Sequence, residues 1–595
     1  MPRLRVAAAQ LNTIVGDIEG NILQITDALA LAESSKASVC VFPELTITGY
    51  PPEDLLMKPG FVTDNTKALQ RVAALTKECV AVVGFVEPIG ESSDLANSAA
   101  ICVGGEVVGI YRKQLLPNYG VFDEQRWFVP GDDQVDLFRV DGVLVGITIC
   151  EDIWFDNGPA ALQARAGAGL LLNINASPYS RGRRKDRLEM LQKRAAETSC
   201  PIVYVNQVGG QDELVFDGAS LVVAADGSLL ASGLQFASDL ILIDILVDSN
   251  VGEDTHTSKD SRRRERDLSA GVSPTSPRPL ESAPNIREVR PARSVEMTPI
   301  APPPLRPALP EYAEIYEALV LGTRDYIVKN GFSDVVIGLS GGIDSSLVAA
   351  IATDALGPSR VHGVSMPSRY SSDGSRIDAG KLAVQLGIDL HVAPIEEAHT
   401  VMSNLLSHVL GHDPQGLTDE NLQSRLRGIT LMGLSNAKGW IVLVTGNKSE
   451  MATGYFTLCG DSAGGFAVIK DVPKTLVYDL CRYRNRKAEI EGREPIIPLA
   501  VLEKPPSAEL RLDQRDDQSL PRYEELDPIL EAYVEHDFTF SELIAKGFDP
   551  DLSLRIIGLV DGAEYKRRQV PLGVRITTKA FGKDRRMPIT NYYRS

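Results

Sequence analysis

Cysteine is scarce. The chain of 595 residues holds seven, at positions 40, 79, 102, 150, 200, 459 and 481, and no two form a CxxC pair. A disulfide framework is therefore disfavoured, and a reduced, cytoplasmic protein is expected. Long apolar runs are missing as well: no stretch reaches 18 residues, so no membrane-spanning helix is expected. The opening Met1-Pro-Arg-Leu-Arg-Val-Ala-Ala-Ala-Gln10 reads as a strand rather than a signal peptide. Positive charge is in the minority, 61 Lys and Arg against 79 Asp and Glu, a net of −18. A field of that sign opposes a nucleic-acid backbone, so no nucleic-acid partner is expected.

What is present is an ordinary globular composition, 44% hydrophobic and 24% charged. The length allows about two to four domains. One composition shift divides the chain. Residues 249–310 carry 11 of the 36 prolines and no aromatic residue, and such a stretch has little with which to build a core. Its run Arg262-Arg263-Arg264-Glu265-Arg266 sits among 10 basic and 8 acidic residues, which favours a solvated linker over a nucleic-acid tail. The expected organisation is residues 1–248, a Pro-rich linker over 249–310, and residues 311–595, with the linker's middle, about 254–296, mobile and protease-sensitive.

In the first block, apolar runs such as Val39–Phe42, Val80–Val83, Val143–Ile149, Leu170–Leu172 and Ile202–Val205 alternate with helical stretches, as buried strands do. The last block repeats the pattern with Val335–Ile337, Val361–Val364, Leu390–Ala393 and Ile441–Val444, which suggests a doubly wound parallel sheet. An α/β fold is expected in both.

Three short segments of the first block each place a reactive residue just past a strand: Phe42-Pro-Glu44-Leu, Tyr111-Arg-Lys113-Gln and Thr148-Ile-Cys150-Glu-Asp-Ile-Trp154. A buried free cysteine is commonly just a small hydrophobe, but Cys150 follows an apolar strand and precedes two carboxylates, at the kind of strand end where α/β folds expose catalytic groups. A thiol of ordinary pKa needs a base to become a nucleophile; Glu44 could take the proton and Lys113 could stabilise an oxyanion. Over residues 4 to 247, Glu then Lys then Cys resembles the carbon–nitrogen hydrolase (nitrilase) superfamily. The resemblance implies an α-β-β-α sandwich, Glu44 as general base, Lys113 at the tetrahedral intermediate and Cys150 as the thioester-forming nucleophile. In the glutaminase branch it further implies a glutamine pocket with Tyr119, Ser177 and Arg183, the last a mild departure because many relatives carry lysine there. A charged helix start remains an alternative for Arg181 to Arg187.

In the last block, Val335-Val-Ile-Gly-Leu-Ser-Gly-Gly-Ile-Asp-Ser-Ser346 reads as strand, tight turn and helix, an anion site in waiting. Gly338-Leu-Ser-Gly-Gly342 also satisfies the permissive G-x-S-x-G nucleophile elbow. No lysine follows these glycines as a Walker A loop requires, which disfavours a kinase or GTPase. The longer string resembles the pyrophosphate-binding loop of ATP pyrophosphatases. Val442-Leu-Val-Thr445-Gly-Asn-Lys448-Ser-Glu450, together with Asn421–Arg427, Lys474, Tyr565–Arg568 and Phe581–Asn591, resembles the NAD⁺ synthetase branch over residues 312 to 595.

That resemblance implies that Gly338, Leu339, Ser340, Gly341, Gly342, Ile343, Asp344, Ser345, Thr445 and Lys474 contact ATP. It places Asn421, Glu450 and Lys566 near deamido-NAD⁺, and Mg²⁺ on Asp344 and Glu450. Two contacts of the ammonia-using members fall on Leu458 and Gly465 and do not transfer. His408 and His412 are four apart but lack the Glu of H-E-x-x-H and a third ligand. Jointly the two halves imply a ligase taking glutamine, ATP and deamido-NAD⁺, with ammonia passing between its sites, and a homo-oligomer. An amidotransferase for another carboxylate and a non-catalytic binding protein are the rival readings.

Overall fold

The computed structural model describes residues 2–90, 92–247, 283–291, 298–591 and 593. They form two compact units, Met1–Pro178 with Gly182–Gly209 and Phe216–Ala308, and Tyr179–Arg181 with Gly210–Val215 and Leu309–Ser595.

The strands of the first unit are apolar on both faces, so each must be covered on both sides. In chain order it runs β1 (Arg3–Gln10), α1 (Ile18–Ser34), β2 (Val39–Val41), α2 (Pro59–Leu75), β3 (Val80–Pro88), β4 (Leu95–Val103), β5 (Glu106–Arg112), β6 (Asp136–Val140), β7 (Val143–Ile149), α3 (Pro159–Arg165), β8 (Leu170–Asn175), α4 (Arg183–Thr198) and β9 (Ile202–Asn206). The chain then forms a hairpin of β10 (Val208–Gln211) and β11 (Leu214–Asp217), of which Gly210–Val215 is grouped with the second unit, and continues in the first with β12 (Leu221–Val223), β13 (Leu229–Ser232), β14 (Asp239–Leu246) and β15 (Asn285–Arg290). One sheet has the order β14-β1-β2-β3-β4-β5, the other β13-β12-β9-β8-β7-β6-β15.

Leu4, Val6 and Ala8 of β1 share a core with Val145, Ile147, Leu172 and Val203 of the facing sheet. The alternate residues Ala7 and Ala9 pack with Ile25 and Leu29 of α1 and Val72 of α2. On the far side, Leu171, Ile202 and Tyr204 meet Leu162 of α3 and Leu191 and Ala195 of α4. Period-two alternation, apolar on both phases, thus dictates two sheets face to face with helices outside, an α-β-β-α sandwich. Helix starts follow local chemistry: the Asp17 carboxylate accepts from Gly20 N at 3.0 Å, and Pro59 and Pro159 open α2 and α3.

The Pro-rich stretch expected to be wholly a solvated linker is not uniformly so. Asn285–Arg290 pairs in parallel with β6, Ile286 opposite Leu137, because alternating residues in Asn-Ile-Arg-Glu-Val-Arg can satisfy an open sheet edge. Thr298 O accepts from the Arg5 guanidinium at 2.7 Å, and Ser232 and Arg306 exchange hydrogen bonds. Residues 254–282 and 292–296 of the span expected to be mobile lie outside the described residues.

The second unit contains α5 (Glu311–Lys329), β16 (Val335–Gly338), α6 (Ile343–Leu356), β17 (Val361–Ser365), α7 (Asp373–Leu386), β18 (Asp389–Val392), α8 (Glu396–Leu410), α9 (Leu417–Lys438), β19 (Ile441–Val444), α10 (Lys448–Thr453), β20 (Phe466–Ala467), α11 (Lys474–Ile490) and shorter helices beyond. Its five strands are all parallel in the order β18-β17-β16-β19-β20. The chain starts at β16, moves outward to β18 and returns to β19 on the other side. The strand order therefore reverses between β16 and β19, where α/β sheets open a crevice at their carboxyl ends.

Candidate active sites

In the first unit, Cys150 begins a single helical turn, Cys150–Ile153, directly after β7. Its φ of +47° is a strained, left-handed conformation for a non-glycine residue, of the sort that gathers at functional sites. Asp152 holds this turn. Its Oδ1 accepts from Gln114 N and Leu115 N at 3.1 and 2.9 Å, and its Oδ2 from Ile149 N at 3.0 Å and the Tyr111 hydroxyl at 2.8 Å. One carboxylate thus ties the Cys150 turn to the segment that follows Lys113. Burial nonetheless pushes its carboxyl up to about 6.

Glu44 and Lys113 are both fully buried. Lys113 Nζ donates to Glu44 Oε1 at 2.7 Å and to Glu124 Oε1 at 2.9 Å. Asn97 Nδ2 and Ala176 N donate to the two Glu44 oxygens at 2.7 and 3.0 Å. Gly84 of β3 makes room for this loop, since a Cβ there would lie 2.3 Å from Leu45 N. Burial works against the Lys113 charge, but Glu124 and Glu44 outweigh it and hold the ammonium well above the ordinary lysine range. Burial and then the Glu44 charge push the Cys150 thiol well up, so the resting group is a thiol beside a carboxylate able to receive its proton.

Of the residues expected around glutamine, Tyr119 donates its hydroxyl to both Glu151 oxygens at 3.0 Å. Ser177 is buried and pinned: its N donates to Asn206 Oδ1 at 2.9 Å, and its O and Oγ accept from Arg187 at 2.8 and 3.3 Å. Arg183 is the first residue of α4, with its guanidinium over the Trp154 ring. The charge of Arg183 acts on both Glu151 and Tyr119.

In the second unit, β16 runs into a turn that only glycine permits. Gly341 has φ +77°, and a Cβ on it would lie 2.1 Å from Ser375 O. Ser340 Oγ accepts from Gly342 N at 3.1 Å, and α6 begins at once, aiming its first amides at the crevice. A cavity of about 290 Å³ opens there. Gly338, Leu339, Ser340, Gly342, Ile343, Asp344, Ser345, Thr445, Glu450 and Lys474 all line it; Gly341 does not, being turned against Ser375. Lys474 Nζ lies 2.5 Å from Asp344 Oδ2 and 3.9 Å from Glu450 Oε1. Burial and the neighbouring Asp344 push the Glu450 carboxyl well up. Two carboxylates that already share one cation are a donor set suited to Mg²⁺, which takes one or two carboxylates and completes its shell with phosphate and water. Among the described residues no cluster of three or more His, Cys, Asp or Glu is disposed for a metal, His408 and His412 included.

Asn421 and Lys566 do not line the cavity but meet on one segment beside it. Asn421 Oδ1 accepts from Thr457 Oγ1 at 2.8 Å, and Lys566 Nζ donates to Gly454 O and Phe456 O at 2.9 and 3.1 Å. Tyr455 and Thr457 of that segment do line the cavity.

With this geometry in hand, the similarities to known proteins are decisive. Residues 5–250 match the carbon-nitrogen hydrolase family and residues 315–570 the NAD synthase family. The glutamine-dependent NAD(+) synthetase of Thermotoga maritima is 46% identical, covering 100% of both chains. The chain belongs to the glutamine-dependent NAD(+) synthetase family. The Aquifex aeolicus relative of the same name is 44% identical over 99% of this chain and 100% of its own. The solved structure of glutamine-dependent NAD+ synthetase from Acinetobacter baumannii, in complex with ADP, is 38% identical, covers 99% of each chain and superposes with a TM-score of 0.71. At 21% identity and a TM-score of 0.79, the Cytophaga hutchinsonii structure shares the fold.

Sequence reasoning about this NAD(+) synthetase-family chain missed several residues. Glu124 lies five positions after Tyr119, and its distance in sequence from Lys113 gave no sign of their contact. Arg187, fully buried and paired with Asp217 at 2.6 Å, was hidden among helix-start arginines. Asp527 accepts from Ser449 Oγ at 2.5 Å and from Thr475 N and Oγ1 at 2.9 and 2.8 Å, joining the starts of α10 and α11 next to Glu450 and Lys474. No pattern in its neighbourhood announces that role.

Proposed function

We propose that the chain releases ammonia from glutamine at Cys150 and uses it at the second site to amidate deamido-NAD⁺ to NAD⁺, at the expense of ATP cleaved to AMP and pyrophosphate. The observation that carries the first half is the buried Glu44–Lys113 pair beside a thiol on a strained turn. Glu44 takes the Cys150 proton as sulfur attacks the glutamine carboxamide carbon. Lys113 faces the oxyanion of the tetrahedral adduct, and the proton returns to the leaving ammonia. Water then hydrolyses the thioester by the same route. Tyr119, Ser177 and Arg183 hold the amino-acid end of glutamine.

In the second site the amides opening α6, with Ser340 and Ser345, cradle the pyrophosphate portion of ATP, and Thr445 lies along the nucleotide. Asp344 and Glu450 would hold Mg²⁺, which when bound supplies neutralising charge for the leaving pyrophosphate. Lys474 places a second cation at the same phosphates. Asn421, Glu450 and Lys566 position the dinucleotide so that its carboxylate attacks the α-phosphate; ammonia then displaces AMP. The functional division follows residues 1–248 and 311–595, and 249–310 connects them. Free thiols at all seven cysteines suit a cytoplasmic setting, and exposed Val401, Leu405 and Val409 on α8 suit a homo-oligomer.

Purified protein with ATP, Mg²⁺ and deamido-NAD⁺ is to be followed for NAD⁺, AMP and pyrophosphate with either glutamine or ammonium. Both nitrogen sources are expected to support NAD⁺ formation. Appearance of ADP, or pyrophosphate release driven by a different carboxylic acid alone, refutes the assignment.

A further inference from the structure

Arg183 is an anomaly among the arginines of α4. Arg187 is saturated by Asp217, Ser177 and Pro178, and Arg194 by Asp156, Glu197 and two backbone carbonyls. The Arg183 guanidinium, by contrast, has no carboxylate within 4.0 Å and no hydrogen-bond acceptor among the described residues. Its one specific contact is the face of Trp154, with the guanidinium carbon 4.3 Å from the ring centroid. A half-buried guanidinium whose donors are all unspent, held over an aromatic ring, is set up to receive a planar anion.

Trp154 is itself fixed. Its N donates to Glu151 O at 3.0 Å, and the Arg194 guanidinium spans Ile153 O and Trp154 O at 3.1 and 3.3 Å. The indole also packs against the core formed by Ile153, Leu162 and Leu191. The residue lies four positions after the nucleophile and caps the turn that positions Cys150. Thus the ring joins the nucleophile turn on one side to the unspent cation on the other, and the Glu151–Tyr119 pair supplies the opposite charge nearby.

We propose that Trp154 is a positioning residue for substrate selection: its ring holds the Arg183 guanidinium where it pairs with the α-carboxylate of glutamine, while Glu151 and Tyr119 take the α-ammonium. The site thereby favours an α-amino acid amide over amides lacking the carboxylate. This rests on the reading that Arg183 belongs to the glutamine pocket. Because the pairing is made equally in the ground state and the transition state, its loss acts on KM and leaves kcat.

The test measures ammonia release from glutamine and from 4-aminobutanamide, which is glutamine without its carboxylate. Trp154→Leu keeps the apolar packing and removes the ring face. It is expected to raise the glutamine KM about tenfold, between the scales of an exposed and a desolvated cation–π contact, with kcat within about threefold. Preference for glutamine over 4-aminobutanamide is expected to fall by the same factor, and Trp154→Phe to restore most of both. Arg183→Ala is expected to raise KM at least as far, with the double variant no worse than Arg183→Ala alone. An unchanged KM in Arg183→Ala overturns the pocket reading. A raised KM there with an unchanged KM in Trp154→Leu overturns the role of Trp154 alone, as does a fall in kcat without a change in KM. Ammonium-driven synthesis reports folding and is expected to stay at the wild-type rate.

Discussion

Replacing Glu124 with glutamine changes one atom type in the most tightly closed part of the glutaminase site. Lys113 Nζ sits within 2.9 Å of both Glu124 oxygens and 2.7 Å from Glu44, with the lysine and Glu44 fully buried and Glu124 nearly so. The amide oxygen introduced by Glu124→Gln can keep the Lys113 and Tyr50 bonds, both now made to Oε1, but the new NH₂ then faces an ammonium. Deleting one partner of a buried ion pair costs about 3–5 kcal/mol. Because an acceptor and the Glu44 contact survive, and burial already disfavours the Glu124 charge, the loss here is expected to stay within about 1 kcal/mol, a thermal midpoint moved by no more than about 4 °C for a unit of this size. Lys113 re-aims toward Glu44, so the oxyanion loses its partner and ammonia release falls about 10²-fold or more. Ammonium-driven synthesis stays within about twofold. A pH signature accompanies this. Burial pushes the Glu124 carboxyl up from an ordinary value near 4.5 to about 7. The native protein therefore keeps a proton that the unfolded chain gives up, and stability declines as pH rises from about 4.5 to 7. Glu124→Gln flattens that slope. Glutaminase turnover within about threefold of wild type, in a variant shown to be folded, would refute the reasoning.

Cys150→Ala is expected to abolish glutamine-driven NAD⁺ formation and spare the ammonium-driven rate, both read by NAD⁺ production; loss of both in folded protein contradicts the division of labour. Asp344→Ala and Glu450→Ala should each remove synthesis with either nitrogen source and weaken Mg²⁺-dependent ATP binding in calorimetry, and recovery on raising ammonium alone speaks against their role. Asp152→Asn turns one oxygen that accepts from two donors into a donor facing them, so the thermal midpoint and ammonia release should both fall, the latter about tenfold or more; unchanged values mean that the turn is held otherwise.

Much of this was legible in the order of residues. Double-sided apolar strands such as Val143–Ile149 have one physical outcome, burial between layers, and the Gly-Gly turn after Val335–Ile337 has few conformations other than a strand-to-helix junction. The proposed reactive residues Glu44, Lys113 and Cys150 stood out because each follows a strand. Their partners were not. Glu124, Arg187, Asp152 and Asp527 act through contacts that only the folded chain makes, and a buried carboxylate is indistinguishable in sequence from one on a solvated helix. The Pro-rich span misled for a related reason: composition reports what a segment can bury by itself, whereas Asn285–Arg290 borrows its hydrogen-bonding partners from β6.

That borrowed strand determines what can be cut away. A fragment ending near residue 247 strips β6 of its outer neighbour and leaves a row of free amide and carbonyl groups along Asp136–Val140, a template for pairing with another molecule. One extended to about residue 308 keeps the edge covered and retains the acceptors that Thr298 and Arg306 offer to Arg5 and Ser232. The shorter piece is expected to self-associate and the longer to stay dispersed, so the smallest well-behaved glutaminase fragment ends some sixty residues beyond β14, whose sheet lacks β6 and β15.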